Sequence, residues 1–208
     1  MLLWRILDAH HHQLGTYVEV GSNHPWKHSN TAFFYERGWS GIAIDPNPEF
    51  ASLFSDERPR DTFLNLGISD EQATLTYYQF PQSLYNTFSK KRAASLVERR
   101  LVPEPETDRI RVVPLGDALR TVWPLGRDID LLSIDAEGLD LRIVEAHDFE
   151  SFPASFLIVE FDSVVIGAPS EQPLIEALVV RDFIFISKLW KSGLFVHRAA
   201  AEKLGLGL

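Results

Sequence analysis

The chain has 208 residues, of which 45% are hydrophobic and 24% are charged, a composition typical of one globular domain with a sizeable core. Its net charge of −9 would repel the phosphates of a nucleic acid, which we therefore exclude as a partner. The absence of cysteine excludes disulfides, thiolate metal sites and a cysteine nucleophile.

The first predicted element is an amphipathic helix over residues 1–14, too short and too charged for a signal or membrane-spanning segment. Consecutive histidines at residues 10–12 point in different directions on a helix, so we expect them in solvent rather than on a metal. We expect a cytoplasmic protein without a membrane span. The short stretch before the first strand leaves open a longer multidomain protein.

Strands and helices alternate along the rest of the chain. Strands are predicted at residues 17–21, 41–45, 62–68, 73–80, 109–113, 129–134 and 156–161. Helices are predicted at residues 29–37, 48–54, 116–123, 139–146 and 170–180. Strands at 183–188 and 194–197 flank Ser192 and Gly193 and predict a closing hairpin. The order indicates one Rossmann-like α/β domain, with a mostly parallel sheet and a C-terminal antiparallel hairpin.

Residues 81–105 interrupt this alternation and collect polar and basic side chains. A segment of this length without strand periodicity is typical of a lid or a substrate-binding segment. A partly helical surface excursion with solvated charges is an equal alternative. We expect acceptor choice to depend on this segment and on the loop after Asp162.

Acidic residues end four of the predicted core strands. They are Glu19, Asp45, the pair Asp135 and Glu137, and the pair Glu160 and Asp162. In a doubly wound sheet, ligands bind outside the carboxyl ends of the strands. Carboxylates are also common at strand ends and in first helical turns, but four such places together favour a ligand site.

The glycine pattern narrows the choice of ligand. Gly21 stands alone, whereas a pyrophosphate loop needs the pattern G-x-G-x-x-G, so a dinucleotide is disfavoured. S-adenosylmethionine has no phosphate and carries a cationic sulfonium, which suits an acid-lined cleft. Asp45 follows Gly21 at close to the spacing of about 20 residues at which an acid binds ribose hydroxyls, and we assign it that role.

The other predicted cofactor contacts lie around these two residues. Gly21 allows close backbone approach to the ligand, and Asn23, Ser29 and Asn30 serve the methionine end. Ile68 packs on the adenine face. The full predicted set is Glu19, Gly21, Ser22, Asn23, Ser29, Asn30, Asp45, Gly67, Ile68 and Ser69.

Residues 17–163 resemble the FkbM family of methyltransferases. The most specific parts are Gly21-Ser22-Asn23, Asp45-Pro46-Asn47-Pro48 and Asp135-Ala136-Glu137-Gly138. The resemblance implies a class I methyltransferase fold, S-adenosylmethionine as cofactor and, in many cases, methylation of oxygen on sugars of polysaccharides or secondary metabolites. Family members usually have alanine where this chain has Ser22, and often a further glycine near His24-Pro25.

We predict that Glu137, assisted by Asp135, acts as the general base, because it follows a core strand at the place where an acceptor should lie. A carboxylate and a hydroxyl differ by roughly 11 pKa units, so the base must act late in methyl transfer or a cation must help. The alternative for Glu137 is an acid in a first helical turn. Weaker base candidates are His24, His28 and His147, the last more simply a helix-terminal residue that complements the helix dipole.

Asp135, Glu160 and Asp162 are candidate ligands of Mg²⁺, which would polarise the acceptor hydroxyl. The simpler alternative is that these acids orient the cofactor amine. Two other functions remain open at this stage, a nucleotide-sugar enzyme that uses a dinucleotide and a non-catalytic binding module of the same fold. The expected partner is a small-molecule or glycan acceptor, and the chain is expected to be part of a larger multidomain protein or a homo-oligomer.

Overall fold

The computed structural model describes residues 14–124, 127–161 and 171–207. The predicted N-terminal helix with its three histidines, Asp162 and the loop after it lie outside the described residues, apart from Leu14 at the end of that helix. Within the described ranges, no helix is long and apolar enough to cross a membrane.

Ten strands form two sheets. In chain order they are β1 Thr16–Val20, β2 Ser40–Ile44, β3 Thr62–Leu64, β4 Gly67–Ser69, β5 Ala73–Gln79, β6 Glu106–Pro114, β7 Ile129–Ile134, β8 Ala154–Glu160, β9 Phe183–Leu189 and β10 Ser192–His197. The larger sheet has seven strands in the order β3-β2-β1-β7-β8-β10-β9. The smaller sheet has the order β4-β6-β5.

The larger sheet places the carboxyl ends of β1, β2 and β7 at one edge, because these strands are parallel neighbours. The chain leaves β1 toward β2 and later returns to β7 on the other side of β1, which makes this edge the switch point of the sheet. Strand β10 is antiparallel to both β8 and β9. The predicted α/β fold with a closing antiparallel hairpin is confirmed.

Seven helices among the described residues cover the sheets. They are α1 Ala32–Tyr35, α2 Phe50–Glu57, α3 Lys90–Glu98, α4 Leu115–Leu119, α5 Asp140–Ala146, α6 Gln172–Val179 and α7 Arg198–Lys203. The main core lies between the sheet and these helices and includes Leu132, Phe152 and Leu157, all without solvent exposure. The apolar run of β7 therefore packs on both faces, as expected of a central parallel strand.

Two predicted elements differ in their organisation. The predicted strand 62–68 divides into β3 and β4, which belong to different sheets. Between them the Leu66 amide donates to the Leu64 carbonyl at 3.1 Å, and the side-chain amide of the exposed Asn65 donates to the Asp45 carbonyl at 3.0 Å. The hairpin turn is formed by Trp190 and Lys191, since Ser192 and Gly193 lie within β10. A Cβ atom on Gly193 would lie 2.4 Å from the Phe161 ring, so this glycine serves packing rather than turning.

Residues 81–105 hold more regular structure than a plain loop. A 3₁₀ turn spans Ser83–Tyr85, Thr87 forms a bridge with Tyr78 of β5, and α3 follows. The Ser89 hydroxyl accepts a hydrogen bond from the Arg92 amide and thereby caps α3. The segment is thus a partly helical excursion that is anchored to the smaller sheet.

Candidate active site at the carboxyl ends of the strands

A cleft opens at the carboxyl ends of β1, β2 and β7. Its walls come from the strand ends, from the loop after β1 and from residues 83–88. The lining residues include Gly21, Asn23, His28, Asp45, Pro46, Leu66, Ile68, Tyr77, Ser83, Leu84, Asn86, Thr87, Phe88, Asp135 and Glu137.

Gly21 lines the cleft and has a φ of 74°. A Cβ atom here would lie 1.9 Å from the backbone carbonyl oxygen of Asp135, so only glycine fits. The Gly21 amide donates to the Ile44 carbonyl at 2.9 Å, and the Asp135 amide donates to the Val20 carbonyl at 3.0 Å. The glycine therefore permits close approach of two strand ends, which the sequence interpretation had ascribed to the ligand alone.

Asp45 is buried at the end of β2, where its carboxylate accepts hydrogen bonds from the Asn23 amide at 2.9 Å and the Asn47 amide at 2.8 Å. Burial raises the pKa of Asp45 to about 6, against the opposing effect of these two hydrogen bonds. Each oxygen keeps a lone pair that can accept from a ligand hydroxyl. The loop after β1 is thus fixed to the residue predicted to bind ribose.

Asn23 connects this loop to the segment 81–105. Its backbone is left-handed, with a φ of 49°, and its side-chain oxygen accepts from the His24 amide at 2.8 Å and from the Ser83 hydroxyl at 3.1 Å. Ser83 therefore closes one side of the cleft. The sequence indicated the segment as a whole but gave no signal for Ser83 itself.

The wall below the 83–88 segment is apolar. Ile68 and Leu66 line it together with the Tyr77 and Phe88 rings, whose centroids lie 4.7 Å apart. Burial raises the pKa of Tyr77, which therefore stays neutral. Its contribution could not be expected from the alternating pattern of β5 alone.

Two predicted cofactor residues of β4 do not line this wall. A Cβ atom on Gly67 would lie 2.8 Å from a methyl carbon of Val112 and 2.9 Å from the Phe88 ring, so this glycine lets β4 pack against its neighbours. The Ser69 hydroxyl donates to Asp70 at 2.9 Å. Of the predicted residues on β4, only Ile68 reaches the cleft.

Glu19 is buried behind the loop and does not line the cleft. Its carboxylate accepts from the Asn30 amide at 2.7 Å and the Thr31 hydroxyl at 2.5 Å, and the Ser29 hydroxyl lies 3.0 Å from it. Burial raises the pKa of Glu19. Ser29 and Asn30, also predicted to bind the cofactor, are thus held by Glu19 beside the cleft rather than in its lining.

A fully buried arginine, Arg58, fixes the same loop from the other side. It donates to the Pro25 carbonyl at 2.9 Å and the Thr31 hydroxyl at 2.7 Å, and it forms an ion pair with Asp61 at 2.6 Å. Glu19 lies 3.9 Å from the same guanidinium. Sequence reasoning missed Arg58, because it lies among other charged residues that resemble an exposed surface.

Three carboxylates meet on the β7 and β8 side of the cleft. Oxygen atoms of Asp135, Glu137 and Glu160 lie within 4.8 Å of one another. Lys191, at the hairpin turn, bonds Glu160 at 2.7 Å, and Arg92 of α3 forms an ion pair with Glu137. Arg92 belongs to the basic residues noted in the segment 81–105, but the sequence did not indicate that either cation pairs with these acids.

Burial and mutual repulsion perturb these acids. Burial raises the pKa of Glu137 to about 8, with a further rise from the charge of Glu160 and an opposing effect of Arg92. Burial, the charge of Glu160 and a hydrogen bond with that residue raise the pKa of Asp135 well above its usual range. Asp135 therefore favours its protonated form, and the pKa of Glu137 lies near 8.

The backbone at Glu137 is held by three contacts. Glu137 has a φ of 52°, and its carbonyl accepts from the Thr87 hydroxyl at 2.8 Å. The Asp140 carboxylate accepts from the amides of Ala136 at 3.0 Å and Gly138 at 3.1 Å. Asp140 is the acid in the first turn of α5, so the alternative interpretation of Glu137 as a helix-terminal acid applies to Asp140 instead.

The three histidine candidates have different surroundings. His28 lines the cleft, whereas His24 uses its Nδ1 to accept from the Trp26 amide at 3.1 Å. His147 caps the C-terminal end of α5 but is buried, and burial lowers its pKa to about 4. His147 thus lies at the end of a helix, as expected. A neutral imidazole brings no charge to the helix dipole, so the expected charge interaction with the dipole is absent.

Comparisons with known proteins give one family and two structural neighbours. The family model described as the methyltransferase FkbM domain matches residues 19–177. The Burkholderia thailandensis 1,6-didemethyltoxoflavin-N1-methyltransferase, solved with 1,6-didemethyltoxoflavin and S-adenosylhomocysteine, is 13% identical with a TM-score of 0.46, covering 94% of this chain and 75% of that chain. The delta-N METTL16 MTase domain is 9% identical with a TM-score of 0.46, covering 94% and 78%. No curated protein sequence matches the chain.

Proposed function

The chain belongs to the methyltransferase FkbM domain family, and on that premise we propose that it transfers the methyl group of S-adenosylmethionine to a hydroxyl oxygen of a sugar-containing acceptor. Methyl transfer that depends on S-adenosylmethionine follows from the family. The hydroxyl, the sugar and the residue roles below are our proposal.

The position of Asp45 is the observation that carries the cofactor assignment. Its carboxylate lies at the end of β2 in the cleft, and two backbone amides hold it while lone pairs remain for the ribose diol. We place the adenine against Ile68 and the Tyr77–Phe88 pair, and the methionine end beside Gly21 and Asn23. Gly21 is not part of a G-x-G-x-x-G phosphate loop, which disfavours a dinucleotide as the cofactor.

The remaining predicted cofactor residues act through the loop in this proposal. Glu19, Ser29 and Asn30 fix the loop after β1 in the shape that presents Asn23. Ser22, Gly67 and Ser69 support the packing of the cleft walls, since none of them lines the cleft. They are positioning residues rather than contacts.

S-adenosylmethionine supplies a methyl group bound to a cationic sulfonium. Glu137 accepts the proton of the acceptor hydroxyl as the oxygen–carbon bond forms and the carbon–sulfur bond breaks. With a pKa of about 8, the mismatch with a water-like hydroxyl falls from roughly 11 units to roughly 8, or by about 4 kcal/mol. Proton transfer late in the reaction remains necessary.

The acid cluster does not suit Mg²⁺. Asp135, Glu137 and Glu160 offer three oxygen ligands, but Arg92 and Lys191 already pair with two of the carboxylates. The raised pKa of Asp135 favours its protonated form, which is a poor metal ligand. A divalent ion would have to displace the two cations and this proton, and we derive no step through a metal.

Labelled S-adenosylmethionine and a panel of sugars test the proposed reaction. We expect label in a methyl ether, and a fall of about 100-fold in kcat for Glu137→Gln with unchanged affinity for S-adenosylhomocysteine. For the wild type, kcat/KM should rise with pH toward about 8 as Glu137 ionises. Near-normal turnover by Glu137→Gln would remove the base assignment.

The ribose assignment has its own test. Asp45→Asn should weaken the binding of S-adenosylhomocysteine about tenfold or more, because the amide replaces one acceptor oxygen by a donor. Asp70→Asn is the matched control, since Asp70 lies after β4, pairs with Arg142 and does not line the cleft. Equal affinity of the Asp45 and Asp70 variants would contradict the assignment.

A further inference from the structure

Three cations follow one another at the start of α3, in a chain with 20 basic and 29 acidic residues. We call Lys90, Lys91 and Arg92 the cationic triplet. The first turn of α3 contains no acid. The helix dipole disfavours cations at an N-terminal end by about 0.3–1 kcal/mol each, so helix stability does not account for the triplet.

The triplet begins the helix that follows one wall of the cleft, and its Arg92 reaches the proposed base. Thr87 and Phe88, shortly before it, line the cleft. A Cβ atom on Gly138 would lie 3.4 Å from the Ser89 Cβ, so the loop that carries Glu137 contacts the start of α3. Arg92 itself forms an ion pair with Glu137.

The charges of the triplet are only partly neutralised by the protein. Lys90 and Lys91 are exposed, and among the ion pairs of the described residues none involves either ammonium group. The Nε atom of Arg92 is a buried donor that has no acceptor among the described residues. Two exposed ammonium groups and one unpaired donor therefore belong to the turn of α3 that contacts the loop of Glu137.

We propose that the acceptor carries a phosphate group and that the cationic triplet binds it while Glu137 faces the hydroxyl to be methylated. A phosphate monoester has a charge of about −1.5 to −2 near pH 7, which matches the two ammonium groups, and lysine binds phosphate as a point charge. The inference rests on the proposed function and names its substrate class. A sugar phosphate and a nucleotide diphosphate sugar are the two sources of this chemistry.

The experiment measures binding to the protein saturated with S-adenosylhomocysteine. The probes are glucose 1-phosphate, UDP-glucose and, as the neutral match, glucose, each titrated by calorimetry at 50 and 200 mM NaCl. We expect at least one phosphorylated probe to bind tenfold or more tightly than glucose, with weaker binding at the higher salt concentration. The tighter of the two phosphorylated probes identifies the source.

The double variant Lys90→Gln/Lys91→Gln should lose about tenfold in affinity for that probe and most of the salt dependence. The matched control is Arg99→Gln/Arg111→Gln, which removes two exposed charges, one of them about 13 Å farther along α3. The control should bind like the wild type.

If no phosphorylated probe binds more tightly than glucose, or if the control loses as much affinity as the lysine variant, the inference is wrong. Its failure is distinct from failure of the proposed function. Methylation of neutral sugars as efficiently as phosphorylated ones overturns the inference and leaves the function intact, whereas transfer to no hydroxyl contradicts the function.

Discussion

Replacement of Gly21 by alanine should destabilise the protein far more than an equivalent replacement elsewhere. The new Cβ would lie 1.9 Å from the Asp135 carbonyl oxygen, about 1.5 Å closer than an ordinary contact. Gly21 also has a φ of 74°, which costs an alanine about 1–2 kcal/mol. Because the neighbour is backbone, the overlap adds roughly 1–3 kcal/mol. The expected loss is therefore about 2–5 kcal/mol in the free energy of unfolding.

Gly205→Ala is the matched control. Gly205 has a φ of 61°, but nothing lies within 4 Å of its Cβ position. The control variant should lose only about 1 kcal/mol in the free energy of unfolding, which is the cost of an alanine in a left-handed backbone conformation. The lower entropy of the unfolded alanine chain reduces this loss. Urea denaturation at several temperatures measures both values, and the Gly21 variant should also melt roughly 10 °C lower. Equal destabilisation of the two variants would refute the close approach of the two strand ends.

Three further changes test other parts of the site. Arg58→Met should lower the free energy of unfolding by about 3–5 kcal/mol and weaken the binding of S-adenosylhomocysteine, because it leaves Glu19 and Asp61 buried without their cation. The control Arg99→Met replaces an exposed arginine and should change the free energy of unfolding little. Ser22→Ala should stabilise the protein by about 1 kcal/mol, since its buried hydroxyl has no partner among the described residues, and a loss in thermal melting would show that the hydroxyl is satisfied. The raised pKa of Glu137 means that the folded state holds its proton more tightly than the unfolded state, so the free energy of unfolding should fall as pH rises from about 4.5 to about 8. For Glu137→Gln, the free energy of unfolding measured with urea should fall less steeply over the same pH range. Equal slopes for the variant and the wild type would contradict the raised pKa.

The sequence predicted the frame of the site well, because strand ends and their acids are local features. Asp45, Asp135 and Glu137 reach the cleft as the alternation of strands and helices requires. The sequence singled out Gly21 because it follows a predicted strand and is not part of a glycine-rich pattern. The surface it packs against, the Asp135 carbonyl, comes from a strand more than 100 residues later and has no local signal.

The direction of a side chain at a strand end was harder to predict. Glu19 lies within β1, opposite Ala43, whereas Asp45 follows the last residue of β2. Glu19 contacts Thr31 and Asn30, while Asp45 faces the cleft. Arg58 contacts both the loop and Glu19 at one buried point. A buried arginine in a run of charged residues has no pattern in the sequence that separates it from a solvated one.

Residues 62–68 were predicted as one strand because most of them favour a strand, although Asn65 and Gly67 are residues that strands disfavour. The chain divides at Asn65 and Leu66, and the two halves join different sheets. Asn65 was the local signal for this break, and its hydrogen bond to the Asp45 carbonyl is the tertiary contact formed there.

Lys191 has a consequence for the order in which the active site is completed during synthesis. A nascent chain that has emerged only through β8 contains Asp135, Glu137 and Glu160, but the cation that neutralises Glu160 lies on the later hairpin. The same hairpin supplies β10, which covers the open edge of β8. Methyl transfer by ribosome-bound chains of increasing length would therefore report when the final hairpin has inserted.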